Sequence, residues 1–255
     1  MKRKLFLSLV GIVVIFLITS TLVLRPYYFR TQHFPADRSR GYHADFYLYV
    51  SPGARRAANA GESVTLLVQP NNSGINSDDP EVHREDAWWT GFGRHRIANE
   101  LDVVLLVPAF LRPAEEWWIY THALDRDVLT TERADLARLD LQLLAMVDTA
   151  RAALSDEGWQ TADKFLIQGY SASGMFANRF TALHPDRVKA AAIGSPGGWP
   201  IAPLAAYDGV ALPYPAGIAD LEALIGQAFD AAAFSQVPQL IVMGSLDDND
   251  SLDFG

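Results

Sequence analysis

Short, nearly continuous apolar runs recur along this chain and leave it few possible architectures. Five of them have the length of a strand: 63–70, 102–110, 164–169, 189–194 and 239–244. Runs of this kind are typical of strands that are buried on both faces, as in parallel sheets. Residues 43–50 instead alternate between apolar and polar types, which predicts a leading strand with one face open to solvent.

Helical segments separate the predicted strands. Residues 134–154 carry apolar side chains at three- and four-residue spacing, the stripe of a helix that packs on a sheet. This alternation predicts an α/β fold with a doubly wound, mostly parallel sheet over residues 43–255. A Pro/Gly-rich sequence begins at Ser195 and is too long for a simple connection, so we expect residues 195–235 to form a lid or cap.

The N-terminal segment predicts a membrane anchor. Residues 5–24 are an uncharged stretch of 20 residues, long enough as a helix to cross a bilayer core about 30 Å thick. We expect residues 1–30 to be a retained single-pass anchor with a cytoplasmic N-terminus, and residues 31–42 to be a linker. The domain from residue 43 would then lie in the periplasm or outside the cell. A cleaved signal peptide, which would give a secreted protein, is the alternative.

Charge and composition exclude several classes of function. The net charge is −9, and the first 30 residues hold only basic groups, so the rest of the chain is more acidic still. Such a surface disfavours nucleic-acid binding. The absence of cysteine excludes disulfides, thiolate metal sites and a cysteine nucleophile. The clustered carboxylates Asp78, Asp79, Glu115 and Glu116 have no histidine partner at ligand spacing, so no metal is predicted, and no other cofactor is expected.

The segment that carries chemistry is 164–188, KFLIQGYSASGMFANRFTALHPDRV. It predicts a buried strand, a sharp turn and a helix, with Gly169, Ser171 and Gly174 around the turn. A serine on such a turn projects its hydroxyl above the sheet, and the helix N-terminus offers partial positive charge to an oxyanion. The spacing is Gly-x-Ser-x-Ser-Gly, which departs from the strict Gly-x-Ser-x-Gly nucleophile elbow. Ser173 is the alternative nucleophile, but we expect it to face the packing side.

With these features the sequence resembles the α/β-hydrolase family, and within it the extracellular esterases and polyhydroxyalkanoate-depolymerase-like hydrolases. The resemblance covers residues 43–255 and is sharpest at GYSASG and the helix after it. It implies a Ser-His-Asp triad with Ser171 as nucleophile. It also implies that Asp247, in the context Gly-Ser-Leu-Asp, is the acid, with Asp248 as the second candidate.

The same resemblance implies an oxyanion hole made by two backbone N–H groups. One comes from Ala172, the residue after the nucleophile. The other comes from the loop QPNNSG, where Asn72 is the first candidate and Asn71 the second. This loop departs from the His-Gly form that is common in the family.

The implied triad lacks a base in this sequence. In this fold the histidine follows the acid along the chain, whereas all six histidines precede Asp247. His184 and His122 are possible substitutes, but His184 is expected some three turns along the helix from the nucleophile, and His122 is expected to pack or to contact substrate. We therefore expect the base to lie beyond Gly255 in a longer gene product, and this chain to be a poor catalyst without it.

These features predict a membrane-anchored serine hydrolase that cleaves small-molecule or polymeric carboxylic esters by acyl transfer. A peptidase of the same fold is one alternative, because ester and amide hydrolysis use the same triad. A non-catalytic binding domain is another, favoured by the missing histidine. The indole pairs Trp88–Trp89 and Trp117–Trp118 are expected in loops at the carboxyl edge of the sheet, either as a substrate wall or as packed loop residues.

Overall fold

The computed structural model describes residues 26–72, 74–197 and 200–247. Its main sheet contains the strands β1 Thr31–Phe34, β2 Phe46–Val50, β3 Leu66–Val68, β4 Val104–Pro108, β5 Phe165–Tyr170, β6 Val188–Gly194 and β9 Gln239–Val242. The short strands β7 Ala206–Tyr207 and β8 Val210–Ala211 form a separate antiparallel pair. The predicted α/β fold with a mostly parallel sheet is confirmed.

The strand order in the main sheet is β1-β2-β4-β3-β5-β6-β9. The pairs β1–β2 and β2–β4 are antiparallel, whereas the strands from β4 across to β9 are parallel to one another. Parallel strands end at the same edge of a sheet, so the turns after β3, β4, β5 and β9 meet there. The strand β5, which precedes Ser171, lies inside the sheet between β3 and β6.

Helices connect the strands, and several of them begin at a side-chain cap. Their bounds are α1 Pro52–Asn59, α2 Pro80–Glu100, α3 Arg126–Thr130, α4 Leu139–Asp156, α5 Ala172–Leu183, α6 Leu221–Ile225 and α7 Ala231–Ser235. The side chains of Ser51 and Asp79 accept backbone N–H groups at the starts of α1 and α2, and a proline follows each cap. Short 3₁₀ helices occupy Arg38–Arg40 and Thr121–Ala123.

Both faces of the sheet are covered, as alternate side chains of β2 show. Phe46 and Leu48 join the larger core with α4 and α5, whereas Tyr49 joins a second core with α2 on the opposite face. All residues of α5 are buried. This burial holds in place the helix that follows the predicted nucleophile.

The edge strand β9 is much less covered than the strands inside the sheet. Leu240, Ile241 and Val242 are 63%, 44% and 52% exposed. An apolar groove beside them is lined by Leu101, Leu166 and other apolar residues. The edge at β9 is therefore the most accessible apolar part of the described sheet.

The segment 31–42 is not the linker that the sequence predicts. Residues Thr31–Phe34 form β1, which pairs with β2 from Thr31 opposite Tyr49 to Phe34 opposite Phe46. Its sequence, TQHF, lacks the apolar run of a buried strand, because β1 is an edge strand whose side chains are all partly or fully exposed.

Trp88 and Trp89 lie within α2, and not in a loop as expected. There the indole of Trp88 packs edge-on against Tyr27, which is fully buried. The other pair, Trp117 and Trp118, does lie in the irregular segment after β4, and both indoles are about half exposed.

The predicted single-pass membrane localisation is wrong for the part of the chain that the structure describes. No helix within those ranges is both long enough and apolar enough to cross a bilayer. The stretch 5–24, which carries that prediction, lies outside the described residues. The same is true of Asp248, the second candidate for the acid.

The long excursion between β6 and β9 holds the β7–β8 pair and the short helices α6 and α7. Its described residues reach back to the main domain at several points. The backbone N–H of Ile201 donates to the side-chain oxygen of Asn178 on α5 at 2.8 Å, and Arg126 pairs with Asp220 at 2.6 Å. The described residues of this excursion are thus anchored to the helices on one face of the sheet.

Candidate active site

Ser171 lies at the sharp turn between β5 and α5 and has backbone angles of φ 58° and ψ −127°. A positive φ is strained for any residue with a Cβ. The backbone N–H of Ser171 donates to the carbonyl oxygen of Gly194 at the end of β6, at 2.9 Å. The turn is thereby tied to the neighbouring strand, and the side chain of Ser171 is exposed at the carboxyl edge of the sheet.

Ser171 is also the N-cap residue of α5, but its hydroxyl makes no capping hydrogen bond. Serine at this position ordinarily accepts a backbone N–H from the first turn of the helix. Ser51 does so at the start of α1, where its hydroxyl oxygen accepts from Ala54 at 3.0 Å. The strained turn therefore leaves the hydroxyl of Ser171 outside the helix and available to other partners.

Three glycines make this turn possible because a side chain would not fit at any of them. A Cβ at Gly169 would lie 1.9 Å from the carbonyl oxygen of Ser173, and one at Gly174 would lie 2.7 Å from that of Gly194. A Cβ at Gly194 would lie 2.6 Å from the ring of Tyr170. The close approach of helix and strand falls at Gly174, one residue later than in the strict motif. The sequence analysis identifies Gly169 and Gly174 but misses Gly194, which ends an ordinary apolar run.

Ser173 faces the packing side, as expected from its place in the turn. It is 2% exposed, and its hydroxyl bonds to both the backbone N–H and the carbonyl oxygen of Tyr170, each at 3.0 Å. This hydroxyl is fully used in holding the turn. Ser173 is therefore unsuited to attack a substrate.

The two asparagines of the loop after β3 have different surroundings. The side-chain amide of Asn72 donates to the carbonyl oxygen of Tyr170 at 3.1 Å, so this loop is joined to the turn that carries Ser171. Asn71 is fully buried and bonds to both the N–H and the carbonyl of Phe110, each at 3.0 Å. Asn72 thus lies at the turn, whereas Asn71 joins the loop to the end of β4.

A polar cluster lies beneath this loop. The Nε2 atom of His122 is 2.9 Å from the carbonyl oxygen of Phe110 and 3.2 Å from the Nδ2 of Asn71. His122 is completely buried, and this burial lowers its pKa to about 3, so the ring is neutral at physiological pH. The ring of His83 lies edge-on to it with centroids 5.9 Å apart. His122 thus has a packing role in this cluster and is not exposed to substrate.

Asp247 follows β9 in the turn Gly244-Ser-Leu-Asp, and its backbone N–H donates to the carbonyl of Gly244 at 3.1 Å. In the sheet β9 is two positions from β5, so Asp247 and Ser171 both follow the carboxyl ends of parallel strands. The structure therefore places the candidate acid at the same edge as the candidate nucleophile.

The six histidines all lie in the described part of the chain, and five of the rings have polar partners there: His33 with Asp45, His83 with Ser77, His95 with Phe92, His122 with Phe110 and His184 with Asp140. No hydrogen bond found among the described residues joins any of the six to Ser171. Neither His122 nor His184 is therefore placed as its base.

His184 ends α5 and belongs to a buried ion-pair cluster at the far end of that helix. Its Nε2 atom is 2.8 Å from Asp140, which also receives two hydrogen bonds from Arg138 at 2.8 Å and 3.0 Å. Burial raises the pKa of Asp140, but the bonds from His184 and Arg138 outweigh it and hold the pKa below its usual value. The carboxylate is therefore charged at neutral pH and fastens α5 to α4.

Sequence reasoning missed two charged residues: Asp125, in the turn that packs on the start of α5, and Arg179, within α5 itself. Asp125 accepts the backbone N–H groups of Tyr120 at 2.7 Å and Val128 at 3.0 Å, and Arg179 donates to the carbonyl oxygen of Ala123 at 3.1 Å. Burial raises the pKa of Asp125 to about 6. Asp125 resembles any loop acid in the sequence, but Arg179 interrupts the apolar sequence of a fully buried helix, which is a usable signal.

The described residues contain no group of three or more acidic or histidine side chains placed to hold a metal ion. Among the described residues, this edge of the sheet carries the hydroxyl of Ser171, backbone N–H groups and the carboxylate of Asp247.

Comparison of the fold with solved structures finds poly(aspartic acid) hydrolase-1 from Sphingomonas sp. KT-1, with a TM-score of 0.54 and 20% sequence identity over 86% of this chain and 73% of that one. Weaker similarity extends to an S-formylglutathione hydrolase from Agrobacterium tumefaciens, with a TM-score of 0.42 and 18% identity over 86% of this chain and 76% of that one. It also extends to an acetyl xylan esterase from Aspergillus awamori, with a TM-score of 0.43 and 14% identity, of which this chain spans 52%. The chain matches no protein-family model, and no curated protein matches it by sequence.

The strand order, the turn at Ser171 and the likeness to a solved hydrolase together define the fold as that of the α/β-hydrolases. This confirms the fold that the sequence resemblance implies.

Proposed function

We propose that this protein is a serine hydrolase that cleaves carboxylic esters by acyl transfer, with Ser171 as the nucleophile. The observation that carries the proposal is the hydroxyl of Ser171, which is exposed on a strained turn and takes no part in capping α5. Strain of this kind persists where the surrounding structure enforces it, and it is common at reactive residues. Here Gly169, Gly174 and Gly194 provide the space that the turn requires.

In the proposed reaction the oxygen of Ser171 attacks the ester carbonyl, and the alcohol leaves to give an acyl-enzyme that water then hydrolyses. The negative charge that forms on the carbonyl oxygen needs N–H donors. As the first residue of α5, Ala172 has a backbone N–H with no acceptor inside the helix, and it lies at the positive end of the helix dipole. The hydrogen bond from Asn72 to Tyr170 supports the backbone of Asn72 as the second donor.

Asp247 is proposed as the acid that orients the catalytic histidine. Its place after β9, at the edge where β5 also ends, supports this role. The histidine itself is proposed to come from beyond Gly255, since the six in the described ranges are engaged or placed elsewhere. A serine without such a base is a weak nucleophile.

The substrate class proposed is a carboxylic ester, either small or polymeric. The fold and the turn at Ser171 would serve amide hydrolysis equally well, and poly(aspartic acid) hydrolase-1 is an example of a similar fold whose named substrate is a polymer of amino acids. A binding domain without activity is the second candidate, and it is favoured because no hydrogen bond among the described residues joins a histidine to Ser171.

The test is reaction of the full natural chain with a fluorophosphonate probe, followed by mass spectrometry of the labelled peptide. We expect the label on Ser171, none in Ser171→Ala, and a retained label in the matched control Ser173→Ala. Hydrolysis of a p-nitrophenyl ester should follow the same pattern. An unlabelled wild-type chain would support the binding domain instead. Labelling that persists in Ser171→Ala would overturn the assignment of the nucleophile.

A further inference from the structure

The turn Tyr120–Asp125 is held by buried side chains at nearly every residue. Thr121 donates to the carbonyl of Leu111 at 2.6 Å, and the hydroxyl of Tyr214 donates to the carbonyl of Leu124. The four residues from Thr121 to Leu124 are all fully buried. A short turn with this many fixed contacts is far more constrained than an ordinary loop.

This turn lies directly against the beginning of α5. The methyl group of Ala123 belongs to a small apolar cluster with Ala172 and Met175, and Tyr120 packs on the same cluster. Ala172 is the residue after Ser171, and its N–H is the first donor of the proposed oxyanion hole. Displacement of the turn would therefore move the backbone that supplies this donor.

Two buried charged side chains hold the turn, one from its own last residue and one from α5. The carboxylate of Asp125 accepts the N–H of Tyr120 at 2.7 Å, which fixes the beginning of the turn. The guanidinium of Arg179, on α5, donates to the carbonyl of Ala123 at 3.1 Å, and Arg179 is 1% exposed. We propose that Asp125 and Arg179 are positioning residues that hold this turn against α5 and so fix the Ala172 N–H for catalysis. This inference rests on the proposed function.

The energetics argue against a role in stability alone. A buried charge loses its hydration, and replacing buried ionic groups with apolar ones of similar size is often neutral or stabilising. The Nε of Arg179 has no hydrogen-bond partner within the described ranges, so its burial is only partly compensated. Holding the turn in a fixed position is a role that would offset the cost of burying these two groups.

The chain offers a matched control at the other end of the same helix. Asp140 and His184 form a pair that is equally buried, but they hold the C-terminus of α5, about three turns from Ser171. Loss of that pair should weaken the fold without moving the Ala172 N–H. Comparison of the two sites separates an effect on the position of the Ala172 N–H from an effect on the stability of the fold.

The experiment measures kcat and KM for a p-nitrophenyl ester, with the folded fraction of each variant determined by circular dichroism. For Arg179→Met and Asp125→Asn we expect kcat to fall by about 10-fold or more. The loss should not exceed the roughly 10²–10³-fold cost of removing a donor outright, and KM should change by less than about twofold. Arg179→Lys, which keeps one donor, should recover part of the loss. Asp140→Asn should keep the wild-type kcat per folded molecule.

Equal kcat values in Arg179→Met and Asp140→Asn, at matched folded fraction, would overturn the positioning role while leaving the proposed function intact. A KM that rises with kcat unchanged would also overturn it, because the two residues would then act on substrate binding. A wild-type chain that neither labels nor hydrolyses ester would overturn the proposed function itself, and with it the catalytic meaning of this turn. If Arg179→Met does not fold, Asp125→Asn provides the same comparison with an isosteric side chain.

Discussion

The side-chain amide of Asn72 donates a hydrogen bond to the carbonyl oxygen of Tyr170, 3.1 Å away. The two residues are 98 positions apart in the chain. One belongs to the loop after β3 and the other immediately precedes Ser171. The bond therefore sets the separation between the two backbone segments that would together hold an oxyanion.

We expect Asn72→Ala to lower kcat for an ester by about 10-fold or more while changing the unfolding free energy by under about 1 kcal/mol. Asn72 is partly exposed, so loss of its hydrogen bond leaves little buried polarity unpaired. Initial rates and urea titration would measure the two effects.

Substitution of the neighbouring Asn71 should instead cause a large loss of stability. Its amide is fully buried and serves both the N–H and the carbonyl of Phe110, so Asn71→Ala should cost about 2–3 kcal/mol of stability by leaving those groups unpaired. Equal stability losses in the two variants would contradict this division of roles.

A glycine substitution tests the geometry of the turn. In Gly169→Ala the new Cβ would lie 1.9 Å from the carbonyl oxygen of Ser173, so β5 and α5 would have to separate. We expect a loss of about 1–3 kcal/mol in stability and a loss of fluorophosphonate labelling. Gly93→Ala is the matched control, because its Cβ meets nothing within 4 Å. Since Gly93 lies inside α2, the control should be stabilised by about 0.5–1 kcal/mol and should label normally.

The contribution of Asp140, paired with His184, to the free energy of unfolding should be lost in acid. The folded state holds the pKa of Asp140 below 3.8, so its contribution is present above the unfolded value and is lost as the pH falls through the folded one. Asp140→Asn should cost about 3 kcal/mol at pH 7, because Arg138 and His184 then lose the buried carboxylate that they bond to. Urea titrations below pH 4 should show the two proteins converging in stability.

The contribution of Asp125 to stability should change with pH in the opposite direction. Its folded pKa of about 6 lies above the unfolded value of 3.8, so the folded state binds the proton more tightly. Stability from this group is full below pH 3.8 and is lost as the pH rises towards about 6, by roughly 3 kcal/mol in total at 1.36 kcal/mol per pKa unit. Asp125→Asn should remove this slope. A wild-type stability that rises steadily from pH 4 to pH 6.5, unchanged in the variant, would contradict the assignment.

Much of the fold was predictable because burial on both faces leaves a clear pattern in the sequence. The runs at 102–110 and 164–169 contain β4 Val104–Pro108 and most of β5 Phe165–Tyr170, and the stripe over 134–154 overlaps α4 Leu139–Asp156. The strand β1 gave no such signal, because all four of its side chains are partly or fully exposed and need not be apolar. Helix α2 was missed as well, since its apolar residues are interleaved with charged ones around most of its surface.

The candidate site was predictable where chemistry and backbone geometry act together. Ser171, Gly169 and Gly174 were identified because a strained turn requires both the serine and the small residues. The contribution of Asp125 was not predictable, since a buried charge and an exposed one are the same letter in the sequence. Arg179 stands out in the apolar sequence of α5, but only the structure shows that it bonds to the turn Tyr120–Asp125.

The strand order also implies graded protection of the backbone amides against hydrogen exchange. The strand β9 has one neighbour, β6, and exposed apolar side chains, so it can detach in a local opening without disturbing β3, β4 or β5. The strand β5 has a partner on each side and the buried helix α5 above it. Its amides should therefore exchange only in larger openings. The backbone that carries Ser171 should stay in place while the edge strand that leads to Asp247 detaches and pairs again.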